Sequence, residues 1–176
     1  MIKVTALFLA FLLTPTWIIG APLSPNELEK EKNSLSVNLK THSISSSEQI
    51  TLYGAKRRKF LTPNWYFGEA GFGAISGKRS GYLEGGVIGG YFKEISPRWN
   101  LALELLIGAG GGGSAPQGGG LIICPSIGIG YQFTRTFSIM SELGYSHFIN
   151  GDISSLTAGL ELNMNIWNLN YVSTAH

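Results

Sequence analysis

The chain has 176 residues, enough for one domain, and only 14% of them are charged, against about 25% in a typical soluble domain. The 24 glycines follow no three-residue period, which excludes collagen, and 44% apolar residues exclude a disordered chain. The single cysteine, Cys124, excludes a disulfide framework and a cysteine-based zinc site, and a net charge of +2 gives no reason to expect nucleic acid.

The first 21 residues have the layout of a secretory signal peptide. Lys3 supplies a positive charge, residues 4–20 are uncharged and mostly apolar, and small residues, Gly20 and Ala21, end the segment. An apolar run of this length, interrupted by Pro15, is at the lower limit for a helix that spans a bilayer, so a membrane anchor is the weaker interpretation. We therefore expect this segment to direct export.

Residues 22–47 form an N-terminal segment of different composition. The sequence Ser24–Glu27 is a capping box with proline at the first helical position, which predicts a short helix over residues 25–33. Apolar and polar residues then alternate over residues 35–40, which predicts a weak strand. Residues 50–53 predict a second weak strand, at the start of the region that follows.

From residue 65 onward, apolar and polar residues alternate in six long runs that are separated by turn-type residues. The runs are Trp65–Ile75, Ser80–Phe92, Arg98–Gly108, Gly119–Phe133, Thr136–Phe148 and Ser154–Trp167. Strands of globular proteins usually have about 5 or 6 residues, whereas a tilted strand that crosses a bilayer needs about 9–11. These runs therefore predict antiparallel strands that are long enough to cross a membrane.

Strands in lipid must close into a barrel, because every backbone polar group has to be paired. Six clear strands and two weaker ones make eight, so we predict an all-β fold, an antiparallel up-and-down transmembrane β-barrel over residues 48–167 with a C-terminal tail at residues 168–176. The sequence leaves open whether residues 34–54 supply two of the strands. The interior of an eight-stranded barrel is just wide enough for side chains, so we expect small inward residues such as Gly128 and Gly144 and no aqueous pore.

Aromatic residues form two belts if both termini of the barrel lie in the periplasm. The residues expected in the periplasmic belt are Trp65, Tyr91, Trp99, Tyr131, Phe133, Phe137 and Trp167. Tyr82, Tyr145 and Phe148 fall at the external ends of their strands. Two belts are what anchoring at the two membrane interfaces predicts, although Trp167 has the inner-face register of the last strand.

Polar residues on the inner faces of the strands predict a hydrogen-bonded network in the lumen. Its expected members are Glu84, Glu104, Glu142, Glu161, Gln132 and Asn163. Buried carboxylates must be paired or protonated, so we expect inward-reaching arginine or lysine side chains to complete the network. A proton or cation site inside the barrel is the functional alternative.

One run of four basic residues forms a second candidate site. It consists of Lys56, Arg57, Arg58 and Lys59. A run of this kind is usually a solvated charge patch, and contact with lipid phosphates at the membrane surface is the functional alternative.

A histidine near the external rim is the third candidate. The segment Tyr145–Gly151 is similar to the His-X-Ser-Asn segment of outer-membrane lipid A deacylases, but Ile149 occupies the position of the nucleophilic serine. Ser146 points to the opposite face of the strand from His147, which prevents a Ser–His pair. We therefore predict no catalytic residue. Asp152 and Ser154 lie beyond this segment.

The stretch Gly119–Trp167, with its long alternating strands and the pairs Gly130-Tyr131 and Gly144-Tyr145, resembles the small outer-membrane β-barrel proteins of Gram-negative bacteria. The resemblance extends over residues 65–167 and implies an outer-membrane location, with lipid and lipopolysaccharide around the barrel. It also implies that the barrel-insertion machinery reads the last strand. The segment Thr157–Met164 is similar to that signal, although nine residues follow the predicted strand.

Together these features predict a non-enzymatic outer-membrane barrel with a structural or surface-interaction role. We expect a monomer without cofactor, metal or nucleic acid. One alternative is a lipid A acyl hydrolase on the same barrel. The other is a secreted soluble carrier of the lipocalin type with its apolar face turned inward, which would have to expose glycine-rich faces to water.

Overall fold

The computed structural model describes residues 28–45, 48–78, 81–115, 118–151 and 154–171. These residues form eight β-strands: β1 (Leu28–Ser45), β2 (Glu48–Phe60), β3 (Trp65–Ser76), β4 (Leu83–Glu94), β5 (Trp99–Gly111), β6 (Leu121–Gln132), β7 (Phe137–Phe148) and β8 (Ser154–Tyr171). Consecutive strands pair antiparallel, and the sheet closes into a barrel in the order β1 to β8. The predicted eight-stranded antiparallel barrel is confirmed. Among the residues that the structure describes, no helix is long and apolar enough to cross a membrane.

The first two strands are much longer than the sequence predicted. β1 has 18 residues and β2 has 13, so the weak segments at 35–40 and 50–53 are parts of full barrel strands. Residues 34–54 therefore do supply two strands, and the barrel begins before residue 48. The alternation of β1 is short in the sequence, because its outward positions are apolar only from Leu35 to Leu39, while its inner face is polar throughout from Ser34 to His42.

The predicted short helix over residues 25–33 is wrong from Leu28 onward, where β1 begins. A helix of one or two turns has only marginal stability in isolation. The strand instead gains hydrogen bonds to β2, starting at the pair Asn33–Lys59. At the other end of the chain, β8 continues to Tyr171 and so extends into the predicted tail. The predicted signal peptide lies outside the described residues.

Each strand points one face outward, and that face carries the apolar side chains. On β5, Leu103 is 47% exposed while its neighbour Glu104 is 8% exposed. The same contrast recurs around the barrel. Exposed apolar side chains include Val37, Leu39, Val87, Leu105, Ile107, Ile127, Ile129, Leu160 and Leu162. A closed barrel whose outer face exposes apolar side chains is the arrangement of β-proteins that span membranes.

One end of the barrel, which we call the turn end, carries three four-residue turns of the same construction. The turns are residues 61–64, 95–98 and 133–136. The first two backbone N–H groups of each turn donate to the carbonyl of the aromatic residue that begins the next strand, at 2.9–3.3 Å. A hydroxyl at the second position accepts a hydrogen bond from the N–H of that aromatic residue, the pairs being Thr62 with Trp65, Ser96 with Trp99 and Thr134 with Phe137. A repeat of the form apolar–Ser/Thr–X–X–aromatic thus sets each turn.

The opposite end, which we call the loop end, carries the connection between β5 and β6. Ala115 from this connection is buried among the apolar side chains of the lumen. Gly112 and Gly118 have φ values of 95° and 58°, which favour glycine. A Cβ atom at Gly118 would overlap the backbone oxygen of Asn150, so only glycine allows this loop to pack against the β7–β8 connection.

Candidate functional site in the lumen and on the rim

The half of the lumen next to the loop end, the loop half, is a packed apolar cluster. Its members are Ile50, Leu52, Ala70, Phe72, Tyr82, Ile88, Leu106, Ala115, Ile122, Cys124 and Phe148. Inward side chains from β2 to β7 meet here, as expected for a barrel whose interior is only wide enough for side chains. This half of the barrel therefore has a core like that of a soluble domain.

One ion pair is embedded in the loop half. Lys40 Nζ donates to Glu84 Oε1 at 3.0 Å, and the Tyr82 hydroxyl donates to Glu84 Oε2 at 2.9 Å. His42 Nε2 lies 3.4 Å from the same Glu84 Oε1, and Cys124 Sγ lies 3.8 Å from Lys40 Nζ. Both carboxylate oxygens of Glu84 thus have donors, which a buried charge requires.

The half of the lumen next to the turn end, the turn half, holds five charged side chains in mutual contact. Lys56 Nζ lies 2.7 Å from Glu104, 2.6 Å from Glu142 and 3.3 Å from Glu161. Arg58 donates from Nε to Glu104 at 2.9 Å and binds both carboxylate oxygens of Glu161 through its two terminal nitrogens. We call these five residues the lumen ion cluster. It contains two cations and three carboxylates.

Neutral side chains complete the lumen ion cluster. Asn38 Nδ2 donates to Glu161 at 2.7 Å, and the Tyr66 hydroxyl donates to Glu104 at 2.9 Å. Arg58 also donates to Asn163 Oδ1 at 3.1 Å. The cluster joins strands β1, β2, β3, β5, β7 and β8, so it ties opposite sides of the barrel together. Charge-assisted hydrogen bonds of this kind are stronger than neutral ones and fix geometry.

The structure brings together most of the residues that the sequence assigned to a lumen network. Glu104, Glu142, Glu161 and Asn163 lie in or beside the lumen ion cluster. Glu84 lies apart from them, in the loop half. Gln132 does not join either group, because its Nε2 donates to the backbone oxygen of Arg135 at the turn end, at 3.2 Å.

The basic run on β2 divides between the two faces of the strand. Lys56 and Arg58 are 3% and 5% exposed and lie in the lumen, so the predicted contact of these two residues with lipid phosphates is wrong. Arg57 and Lys59 alternate with them and point outward. The inward cations of the network were therefore present in the sequence, but four consecutive basic residues obscured the period of two.

Most of the predicted aromatic belt lies on the outer face at the turn end. The ring centroids of Trp65 and Tyr91 are 5.1 Å apart, as are those of Trp99 and Tyr131, and Phe133 lies 5.4 Å from Tyr131. Phe137 is exposed on the outer face at the start of β7. Aromatic residues at strand ends are typical anchors at a membrane interface.

Trp167 does not belong to that outer belt. It has the inner register and lines the opening of the lumen at the turn end. The Lys32 ammonium lies 6.0 Å from its ring and 4.5 Å from each of the rings of Phe60 and Phe92. The Lys32 ammonium thus lies close to three aromatic rings at this end of the barrel, an arrangement that favours a cation.

A histidine–serine contact lies on the rim at the loop end. His147 and Ser154 are register partners across β7 and β8, and His147 Nδ1 lies 2.7 Å from Ser154 Oγ. Both side chains are exposed. Ser146, as predicted, points the other way and is buried in the lumen. The serine that reaches the histidine thus comes from the next strand, which only the register could show.

A scan against protein-family models gives no match, and a search of curated proteins gives no relative. The closed eight-stranded barrel has an apolar outer face and a filled lumen, which is the fold of transmembrane β-barrels. Solved structures with a similar fold support that assignment. Three of them are the N-terminal β-barrel domain of OprF from Pseudomonas aeruginosa, the outer membrane protein Ail of Yersinia pestis in a phospholipid bilayer nanodisc, and a de novo designed transmembrane β-barrel.

The OprF domain is 14% identical to this chain, with a TM-score of 0.53, and the match covers 77% of this chain and 97% of the OprF chain. Ail is 14% identical to this chain, with a TM-score of 0.53, and the match covers 77% of this chain and 99% of the Ail chain. The designed barrel is 12% identical to this chain, with a TM-score of 0.53, and the match covers 76% of this chain and 95% of the designed chain. At these identities the likeness is one of fold, and it confirms the predicted resemblance to small outer-membrane β-barrels at that level.

Proposed function

We propose that this chain is an outer-membrane β-barrel protein that acts through its surfaces, as a structural or surface-interaction protein, and does not conduct solutes. The observation that supports this most strongly is the filled lumen. The apolar cluster occupies the loop half and the lumen ion cluster occupies the turn half. Moving an ion through the barrel would require separating paired, buried charges, which costs several kcal/mol.

The outer face supports a location in lipid. Leucine, isoleucine and valine side chains are exposed over most strands, and a soluble barrel would have to place that surface in water. Two of the similar solved structures come from Gram-negative bacteria, and one of them was determined in a phospholipid bilayer. We therefore propose lipid and lipopolysaccharide as the surroundings of the barrel, with assembly by the barrel-insertion machinery through β8.

Cell fractionation and gel migration test this proposal. The protein should partition with outer membranes, need detergent for solubility, and migrate differently on a denaturing gel when it is not heated, because a closed barrel resists opening. Purified protein should give no steady conductance in a planar bilayer. A protein that stays in the soluble periplasmic fraction would favour the carrier alternative, and a steady conductance would contradict the closed lumen.

A second candidate function rests on the contact between His147 and Ser154. A serine hydroxyl within hydrogen-bond distance of a histidine nitrogen can be activated for attack on an ester. This pair lies on the outer rim, where the acyl chains of lipid A would be within reach. The second candidate is therefore a lipid A acyl hydrolase.

Mass spectrometry of lipid A separates the two functions. Cells that produce the wild-type chain are compared with cells that lack it and with cells that produce Ser154→Ala. Ser141→Ala, on the outer face of β7, is the matched control. Loss of an acyl chain that depends on Ser154 and not on Ser141 would establish the hydrolase, and an identical acyl pattern in all strains would remove it.

A further inference from the structure

One ion pair lies on the outer face of the barrel. Arg57 Nε lies 2.8 Å from Glu69 Oε1, and the two side chains are 59% and 45% exposed. The residues are register partners on β2 and β3. They point away from the lumen, because Lys56 and Arg58 on either side of Arg57 point into it.

The position of this pair along the barrel places it within the apolar band. Glu69 follows Trp65, a residue of the aromatic belt, by four positions. At a rise of about 3.3 Å per residue and a tilt of about 40°, that places Glu69 roughly 10 Å from the belt, inside a band about 25 Å tall. On β5 the residue four positions after Trp99 is Leu103, and its outward neighbour is Leu105. Charge at this depth is thus a feature of the β2–β3 side.

Small residues surround the ion pair on its loop-end side. Ala55, Gly71 and Gly85 are consecutive register partners across β2, β3 and β4, and all three point outward. A row without bulky side chains is flat and lets another backbone approach closely, as small residues do where membrane segments associate. The charged pair therefore lies at the edge of a flat surface.

We propose that this surface, the β2–β3 face formed by Ala55, Arg57, Glu69, Gly71 and Gly85, binds a second copy of the chain in the membrane. A two-fold axis along the membrane normal brings the same patch of both copies together. Arg57 then faces the partner's Glu69, and Glu69 faces the partner's Arg57. The patch carries one cation and one carboxylate, so it is complementary to itself. This assembly differs from the monomer expected from the sequence.

A lipid phosphate is a poorer occupant of the same surface. An anionic headgroup attracts Arg57, whose long side chain could extend toward it, but repels the neighbouring Glu69. A second copy satisfies both charges and removes them from the acyl chains. Electrostatic complementarity therefore favours the second copy over an anionic lipid.

Disulfide cross-linking in native membranes tests the contact. Ala55→Cys is placed in a Cys124→Ser background, and Leu103→Cys on β5 is the matched lipid-facing control. After oxidation, the cysteine at position 55 should give a species of twice the chain mass, about tenfold more abundant than that from position 103. Equal cross-linking at the two positions, or cross-linking at position 55 only to other proteins, would overturn the proposal.

Charge complementation separates contact between copies from contact within one chain. Glu69→Arg gives a face with two cations, and Arg57→Glu gives a face with two carboxylates. Each variant alone, carrying Ala55→Cys, should lose about tenfold in cross-linking, and co-production of the two with different tags should restore it between unlike chains. Both variants lack the pair within the chain, so recovery reports only the contact between copies.

The unheated gel shift provides the folding control for these variants. A variant that keeps the shift and partitions with outer membranes is a folded barrel. Folded variants that fail to recover cross-linking when mixed would overturn the dimer and leave the proposed barrel function intact.

Discussion

The two halves of the lumen are stabilised by different interactions, apolar packing in the loop half and ion pairing in the turn half. In the loop half, side chains such as Leu52, Ile122 and Phe148 are fully buried against one another, and each contributes through its own burial and packing. In the turn half, Lys56 and Arg58 are shared among three carboxylates, so each ion depends on the others. Away from the Lys40–Glu84 pair, the loop half should therefore respond to mutation in proportion to lost volume, and the turn half according to charge balance.

This difference follows from the cost of burying charge. When a buried apolar side chain is truncated, the loss of stability grows with the volume removed and with the cavity that remains. An ion that loses its partner inside the barrel keeps its desolvation penalty without the attraction that offset it. Substitutions in the two halves of the lumen test this contrast.

Lys56→Met should have the largest effect. The substitution keeps much of the side-chain volume but leaves three carboxylates around Arg58 alone, and breaking a buried pair in this way costs about 3–5 kcal/mol. Urea unfolding in detergent micelles, followed by tryptophan fluorescence, measures the change. Lys78→Met, at an exposed position of the loop end, is the matched control and should change the free energy of unfolding by less than about 0.5 kcal/mol. Similar losses for both variants would contradict a charge-dependent turn half.

Leu52→Ala should rank next and should follow the rule for apolar cores. Leu52 is fully buried in the loop half, and truncation there costs about 2–5 kcal/mol through lost burial and a residual cavity. Leu52→Met, which nearly conserves volume, should cost less than about 1.5 kcal/mol. The same unfolding assay ranks the two. A loss for the methionine variant as large as that for alanine would show that the loop half does not respond in proportion to volume.

The smallest effects come from neutralising single carboxylates, and here two residues of the same type should differ. Glu161 holds Arg58 by two contacts and also accepts from Asn38, so Glu161→Gln should cost about 1.5–3 kcal/mol. Glu142 contacts Lys56 and is partly exposed, so Glu142→Gln should cost about 1 kcal/mol or less. The cluster then keeps two carboxylates for two cations. A larger loss at Glu142 than at Glu161 would refute this charge balance.

The parts of the fold that the sequence predicted are those encoded by local alternation. Strands β3 to β8 were predicted to within a few residues because apolar side chains recur on their outer faces and turn-type residues separate the strands. β1 was recognised only in part, because its apolar outward residues extend only from Leu35 to Leu39 and the outward positions on either side are polar. The turn repeat is present in the sequence, but it was not recognised there because its three copies are short and far apart.

The candidate site was only partly predictable for a different reason. The inward carboxylates follow from alternation on single strands, but their partners depend on which strands meet across the lumen. Arg58 and Glu161 are 103 residues apart in the chain. The pairing of His147 with Ser154 likewise depends on the register of β7 and β8. Neither register is a property of one strand, so the sequence alone could not give these contacts.

Which face of the barrel meets lipid can be measured most directly by labelling Leu103→Cys in a Cys124→Ser background. Ile95→Cys, at an exposed turn position, is the water-accessible control. In the folded, membrane-embedded protein, we predict that the cysteine at position 103 reacts with a lipid-phase probe and is shielded from a water-soluble maleimide, while the cysteine at position 95 reacts with the maleimide. Rapid maleimide labelling at position 103 would contradict the assignment of the apolar face to lipid.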